Sequence, residues 1–146
     1  MPLEIVQTPK EVVILYEAFR AWRRIPINEK LQHPSDLTPT WMGDSVGRWE
    51  GDTFVVDVTG FNDKTWIGGM GSIHTEQMHV VERYKRNSDG SLSYEAMVED
   101  PGALTNPWVT GSVLRTPVDV RVEEYECIEN NPDPEHMRKA LETGSK

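Results

Sequence analysis

Cysteine is almost absent from this chain of 146 residues: Cys127 is the only one. An intramolecular disulfide is therefore excluded, as is a zinc site built from several thiolates. In its context, EYECIE, Cys127 reads as a small half-buried side chain. Long apolar runs are missing as well, and no segment approaches the roughly 18–20 apolar residues of a membrane-spanning helix. The N-terminal stretch MPLEIVQTPKEVV has no basic segment followed by an apolar one, so no signal peptide is read and a cytoplasmic location is expected for the chain as given. Positive charge is scarce: 24 acidic residues against 15 basic ones leave a net charge of −9. Such a surface repels phosphate backbones, and the longest basic stripe is RAWRR, residues 20–24. Neither nucleic acid nor a membrane is thus an expected partner. The alternation of Arg20, Trp22 and Arg24 against Ala21 and Arg23 predicts a strand with guanidiniums on a solvated face, or a small anion site there. No G-x-S-x-G elbow, phosphate-cradling glycine loop or dinucleotide fingerprint occurs.

What is present is a dense alternation of β-prone segments and turns. Strands are predicted over residues 3–8, 11–19 and 21–27, with a polar, proline-containing loop over 28–39. A hairpin follows, residues 46–49 and 53–59 around Glu50-Gly51-Asp52, whose second arm sets Phe54, Val56 and Val58 against Thr53, Val55 and Asp57. A second hairpin joins 77–86 to 91–99 through Asn87-Ser88-Asp89-Gly90, and a third joins 108–114 to 118–128. The segment PEHMRKAL, residues 134–141, suits a short helix with proline in its first turn. About nine strands joined mostly in sequence, with no helix of core-building length, predict an all-β domain. The expected architecture is an antiparallel meander of 8–10 strands closing into a lipocalin-like (calycin-type) barrel over residues 1–131, with a C-terminal helix and tail over 132–146; the alternative is a β-sandwich.

The stretch from Trp41 to Tyr84 is the most informative part. It holds three of the five tryptophans, two of the four histidines and four aspartates, interleaving ionisable groups with aromatic surface as ligand pockets do. In SIHTEQMHVVERY an extended backbone places His74, Glu76 and Met78 on one face with Val80, Glu82 and Tyr84, and His79 on the other. The apolar members mark that face as inward, so His74, Glu76 and Glu82 are the candidate catalytic groups: a carboxylate held there could act as a general base. Imidazole plus carboxylate also suits a divalent metal, zinc or iron, with His74 and Glu76 as its ligands, although three protein ligands are usual. Trp41, Trp49, Trp66, Met78, Tyr84 and Trp108 are the candidate ligand-binding residues, each offering an apolar wall and the indoles and phenol a polar handle. Asp44 and Asp63 are read first as turn caps, and Asp57 as a solvated strand carboxylate. On the last predicted strand Glu124 and Glu126 share parity with Val120 and Val122, so one of them is expected to face inward unless a bulge shifts the register.

The blocks PTWMGDSVGRWEGDTFVVDVTGFNDKTW, HTEQMHVVERY and EYECIEN resemble a large group of uncharacterised bacterial β-rich proteins. That group carries a PTWMG-S-GRWEGDTLVVDT-GFND-TW block and then a His-Ser-Asp/Glu element before a VTERF-like strand, and the resemblance covers most of the chain. It implies no activity, because none is secure for the group. It implies that the group's histidine corresponds to His74, and that a periplasmic location is an alternative, since many members are exported. A lost neighbour for the first strand implies an edge able to pair with a second copy, hence a homodimer. The expected function is that of a β-barrel binding a small apolar or aromatic molecule. The alternative is a barrel enzyme using a His/carboxylate pair, with or without metal, for isomerisation, cyclisation or hydrolysis.

Overall fold

The computed structural model describes residues 2–68, 71–115 and 121–123, together with Glu135, Arg138, Lys139 and Glu142. Among these residues ten strands run in the order β1 (Leu3–Gln7), β2 (Glu11–Tyr16), β3 (Trp22–Pro26), β4 (Asp44–Glu50), β5 (Thr53–Thr59), β6 (Trp66–Ile67), β7 (Ser72–Ile73), β8 (His79–Arg86), β9 (Leu92–Glu99) and β10 (Trp108–Leu114). They form a three-stranded sheet β1-β2-β3, a five-stranded sheet β10-β9-β8-β5-β4 and a small hairpin β6-β7, all paired antiparallel. The protein is all-β. Between β2 and β3 a 3-10 turn, Ala18–Arg20, ends the predicted run 11–19 early, with Phe19 and Arg20 at positive φ.

Among the described residues the strands do not close into a barrel. Backbone pairing joins the two larger sheets through one parallel bridge among the described residues, Ile27 to Gly47, where the Asn28 N–H donates to the Gly47 carbonyl at 2.8 Å, while β1 and β10 each end a sheet. A sandwich-like arrangement of two sheets is as consistent with this pairing as a barrel. Of the predicted strand 118–128, residues 121–123 carry no strand conformation and the rest, with Glu124, Glu126 and Cys127, lies outside the described residues. The predicted C-terminal helix is described only at Glu135, Arg138, Lys139 and Glu142, which are helical, with Lys139 2.9 Å from Glu135. No helix among the described residues is long and apolar enough to cross a membrane.

Period-2 alternation decides what the sheets bury. Across the five-stranded sheet the register stacks Val58–Val80–Val98, then Val56–Glu82–Ala96, then Phe54–Tyr84–Tyr94. From the other sheet Val12, Ile14 and Ile25 pack onto these rows, completing one core with Phe61 and Met78. The close approach of the sheets depends on Gly47: a Cβ there would stand 2.3 Å from the Phe54 ring and 3.0 Å from Ile25. The opposite parity of β4 and β5 is half covered, and Val46 and Val55 are buried beside Asp57.

Candidate functional site

Residue 23 belongs to the same parity of β3 as buried Ile25, so its side chain points between the sheets. The Arg23 guanidinium meets Glu82 of β8 at 2.5 Å, and the two side chains are only 12% and 8% exposed. The alternation expected of residues 22–24 holds: Trp22 and Arg24 face outward, Arg24 paired with Glu11, and Arg23 is internal. Burying two charges is tolerable because neighbouring phenols hydrogen-bond to both members of the pair. The Tyr94 hydroxyl donates to Glu82 Oε1 at 2.9 Å, the Tyr84 hydroxyl to the same oxygen at 3.3 Å, and Arg23 Nη2 donates to the Tyr84 oxygen at 3.1 Å. Burial opposes the Arg23 charge, but Glu82 and the neighbouring Tyr84 and Tyr16 outweigh it and hold the guanidinium above its ordinary range. Burial, reinforced by the Glu82 carboxylate, pushes the Tyr84 and Tyr94 phenols well above theirs; burial does the same more mildly at Tyr16. One donor remains unused: the buried Arg23 Nε has no hydrogen-bond partner among the described residues.

Beside this network lies a cavity of about 250 Å³. Met42, Phe61, Met78 and Val98 form apolar walls, Arg23, Glu82, Thr65 and His74 contribute polar groups, and Trp41 and Trp66, 60% and 70% exposed, stand at its mouth. Phe61, Thr65 and His74 are brought together by the connection from β5 to β8, which makes the excursion β6-β7 before returning to the sheet.

His74 is buried rather than loop-solvated, at 4% exposure, edge-on to Phe61. Its Nδ1 lies 3.2 Å from the Thr75 carbonyl and its Nε2 2.5 Å from Thr65 Oγ1. With Nδ1–H donating to the carbonyl, Nε2 accepts the Thr65 hydroxyl, which fixes the ring and polarises the O–H. The backbone that holds His74 is itself anchored. Asp100, 2% exposed, accepts from the Thr75 N–H at 2.6 Å, the Thr75 hydroxyl at 2.7 Å and the Gly102 N–H at 3.0 Å. Burial raises the Asp100 pKa, yet these hydrogen bonds outweigh it and leave the carboxyl below its usual range. Gly102 is required for this contact, since a Cβ there would come within 2.7 Å of Thr75.

The structure thus brings together His74, Glu82, Met78, Trp41 and Trp66 around the smaller cavity. Tyr84 and Trp49 line a larger cavity on the other side of the tyrosine network, with Trp49 packed on Phe54 at 5.1 Å between ring centroids. Trp108 lines neither and stands half exposed on β10. Glu76 does not join His74. Residues 75–78 form a turn in which the Met78 N–H donates to the Thr75 carbonyl, breaking the extended parity and leaving Glu76 on the outside. Among the described residues no group of three or more His, Cys, Asp or Glu is placed to hold a metal ion.

On the outer face of the five-stranded sheet, Asp57 is not merely solvated. Its carboxylate lies 2.9 Å from His33 Nε2 and 2.7 Å from His79 Nε2, with Asp44 and Glu99 at 3.6 and 3.5 Å from the far nitrogens. His33 was hidden in the polar loop 28–39, and nothing in the local sequence signals its pairing with a strand carboxylate 24 residues on. Asp63 is exposed. Arg23 was legible only through its parity with Ile25.

Comparison with protein-family models, curated proteins and solved structures finds no match to this chain.

Proposed function

We propose that the smaller cavity binds a small, mostly apolar or aromatic molecule carrying one hydrogen-bond acceptor. The observation that carries this reading is the buried Arg23 Nε–H, a donor without a partner among the described residues, on a side chain lining a mainly apolar cavity. A buried orphan donor costs about 1–3 kcal/mol, and an acceptor on a ligand would recover much of it. Size restricts the ligand: roughly 150 Å³ accommodates benzene, so about 250 Å³ suits one substituted ring or a fused pair. Trp41 and Trp66 offer flat apolar surface at the entrance, and the Arg23–Glu82 pair keeps the floor neutral overall, which disfavours ions. The two sheets are read as an opened lipocalin-like barrel around this ligand, and a homodimer paired along the free edge of β1 belongs to the same proposal.

The test compares benzamide and acetophenone, each a ring with one carbonyl, against toluene. Tryptophan emission should change saturably with the first two and bind toluene about tenfold more weakly, the value of one good hydrogen bond. A Val98→Trp variant that fills the cavity should lose the response. Equal affinities for all three ligands would remove the role given to Arg23.

One observation favours a second reading, proton transfer: Thr65 and His74 form a hydroxyl–imidazole pair at 2.5 Å inside the same cavity. In an enzyme His74 would act as general base with Thr65 as the group it activates or relays through. His74→Ala would then abolish turnover, whereas in a binding protein it only weakens affinity.

A further inference from the structure

The larger cavity, about 870 Å³, opens between the β1-β2 hairpin and the β9-β10 side of the other sheet. It is separate from the site described above: Arg23 and Glu82 line the smaller cavity, Tyr84 lines the larger, and their hydrogen bonds form the partition. Part of its wall is apolar, with Ile5, Val12, Ile14, Phe54, Leu92 and Leu114 contributing from both sheets. Three arginines also line it: Arg86 at the end of β8, Arg115 just beyond β10, and Arg121.

These three stand apart from the other arginines. Arg23, Arg24, Arg48, Arg83 and Arg138 each face a carboxylate, and Arg20 has a partner of its own. Among the described residues Arg86, Arg115 and Arg121 have neither an ion pair nor a side-chain hydrogen bond. In a chain with 24 acidic residues to 15 basic ones, carboxylates are the more abundant group, so three guanidiniums without a partner among the described residues, around one cavity, require a reason. Among the described residues two acidic ones also line it, but Asp52 is held by Lys85 at 3.0 Å, which leaves Glu4 of these two to face three positive charges.

We propose that this cavity takes an amphipathic anion, its apolar body between the sheets and its carboxylate, sulfonate or phosphate head at Arg86, Arg115 and Arg121. Guanidinium forks suit such heads, because they donate paired hydrogen bonds to planar or tetrahedral oxyanions. The volume is that of an ordinary ligand site and exceeds what a single ring fills.

The experiment titrates the full chain with anilinonaphthalene sulfonate and with N-phenylnaphthylamine, the same apolar body without the charged head. The sulfonate should bind saturably and about tenfold or more tightly than the neutral analogue, and added salt should weaken it alone. Decanoate and decyl phosphate, added as competitors, distinguish a carboxylate from a phosphate preference by their relative displacement of the dye. Arg115→Gln/Arg121→Gln, two exposed positions whose change should leave the melting temperature in place, should reduce sulfonate affinity about tenfold and leave the neutral analogue unchanged. Equal affinity for the two dyes, or sulfonate binding indifferent to the double substitution, overturns the proposal; so does the absence of saturable binding by the sulfonate.

Discussion

Strands β5 and β8 carry two polar clusters, one on each face, and the same chemistry has different consequences in the two places. On the inner face the Glu82 carboxylate is shared by Arg23, Tyr84 and Tyr94 with both ion-pair members nearly sealed from water. On the outer face the Asp57 carboxylate is shared by His33 and His79, with His79 36% exposed. Each carboxylate joins distant parts of the chain: Glu82 ties one sheet to the other, and Asp57 ties the loop 28–39 to the sheet. The difference is the availability of water when a partner is lost. A half-exposed histidine can be resolvated; a buried guanidinium cannot.

The largest effect should come from breaking the inner cluster asymmetrically. Glu82→Gln leaves the Arg23 charge buried without a counter-ion, and urea unfolding should show a loss of about 3–5 kcal/mol. Replacing both members, Arg23→Met with Glu82→Leu, should cost clearly less than the single change, because no uncompensated charge remains. A single change no worse than the double one would mean that the pair is not closed to water.

Titration sharpens the comparison from another side. Tyr16, Tyr84 and Tyr94 have raised pKa values in the folded state, chiefly through burial. Above the ordinary phenol range of about 10 the unfolded chain releases protons that the folded one retains, so stability is full below that range and falls as pH rises beyond it. Asp100, with a lowered pKa, works in the opposite sense: its contribution is present above the ordinary carboxylate range and is lost as pH falls through its folded value. Thermal melts against pH should therefore show an alkaline decline that Tyr94→Phe makes shallower, and an acid decline that Asp100→Asn makes shallower.

The smallest effect belongs to the outer cluster. Asp57→Asn keeps the shape, lets the 36% exposed His79 turn to solvent and leaves the 13% exposed His33 an amide oxygen as acceptor, so the expected cost is about 1 kcal/mol. Amide exchange should accelerate in the loop 28–39 more than in β5. A loss as large as that of Glu82→Gln would erase the distinction drawn between the two faces.

Most of the strand plan could be read from the sequence because alternation and turn chemistry are local signals. The hairpins around Gly51 and Gly90 are fixed by positive-φ glycines between β-branched arms. The inward set Val80, Glu82 and Tyr84 follows from parity within one strand. Reading failed where a local rule was interrupted. The turn at 75–78 removed Glu76 from the row that His74 and Met78 were expected to share with it, because Thr75 and Asp100 fold the backbone through a contact 25 residues distant. The alternation set Arg23 opposite Trp22 and Arg24, but its ion pair with Glu82, 59 residues on, had no local signal. Sheet closure was not legible either, since it depends on how β1 and β10 lie relative to one another rather than on any pattern within them.

The most direct test of the central claim is a nitrogen-edited NMR titration with benzamide, following the Arg23 Nε–H and the indole N–H groups of Trp41 and Trp66. Saturable shifts of all three with one common affinity, the arginine signal moving downfield as its proton gains an acceptor, are the predicted result. Shifts confined to the tryptophans, with the Arg23 signal unmoved at saturation, would contradict the assignment of that buried donor to a ligand.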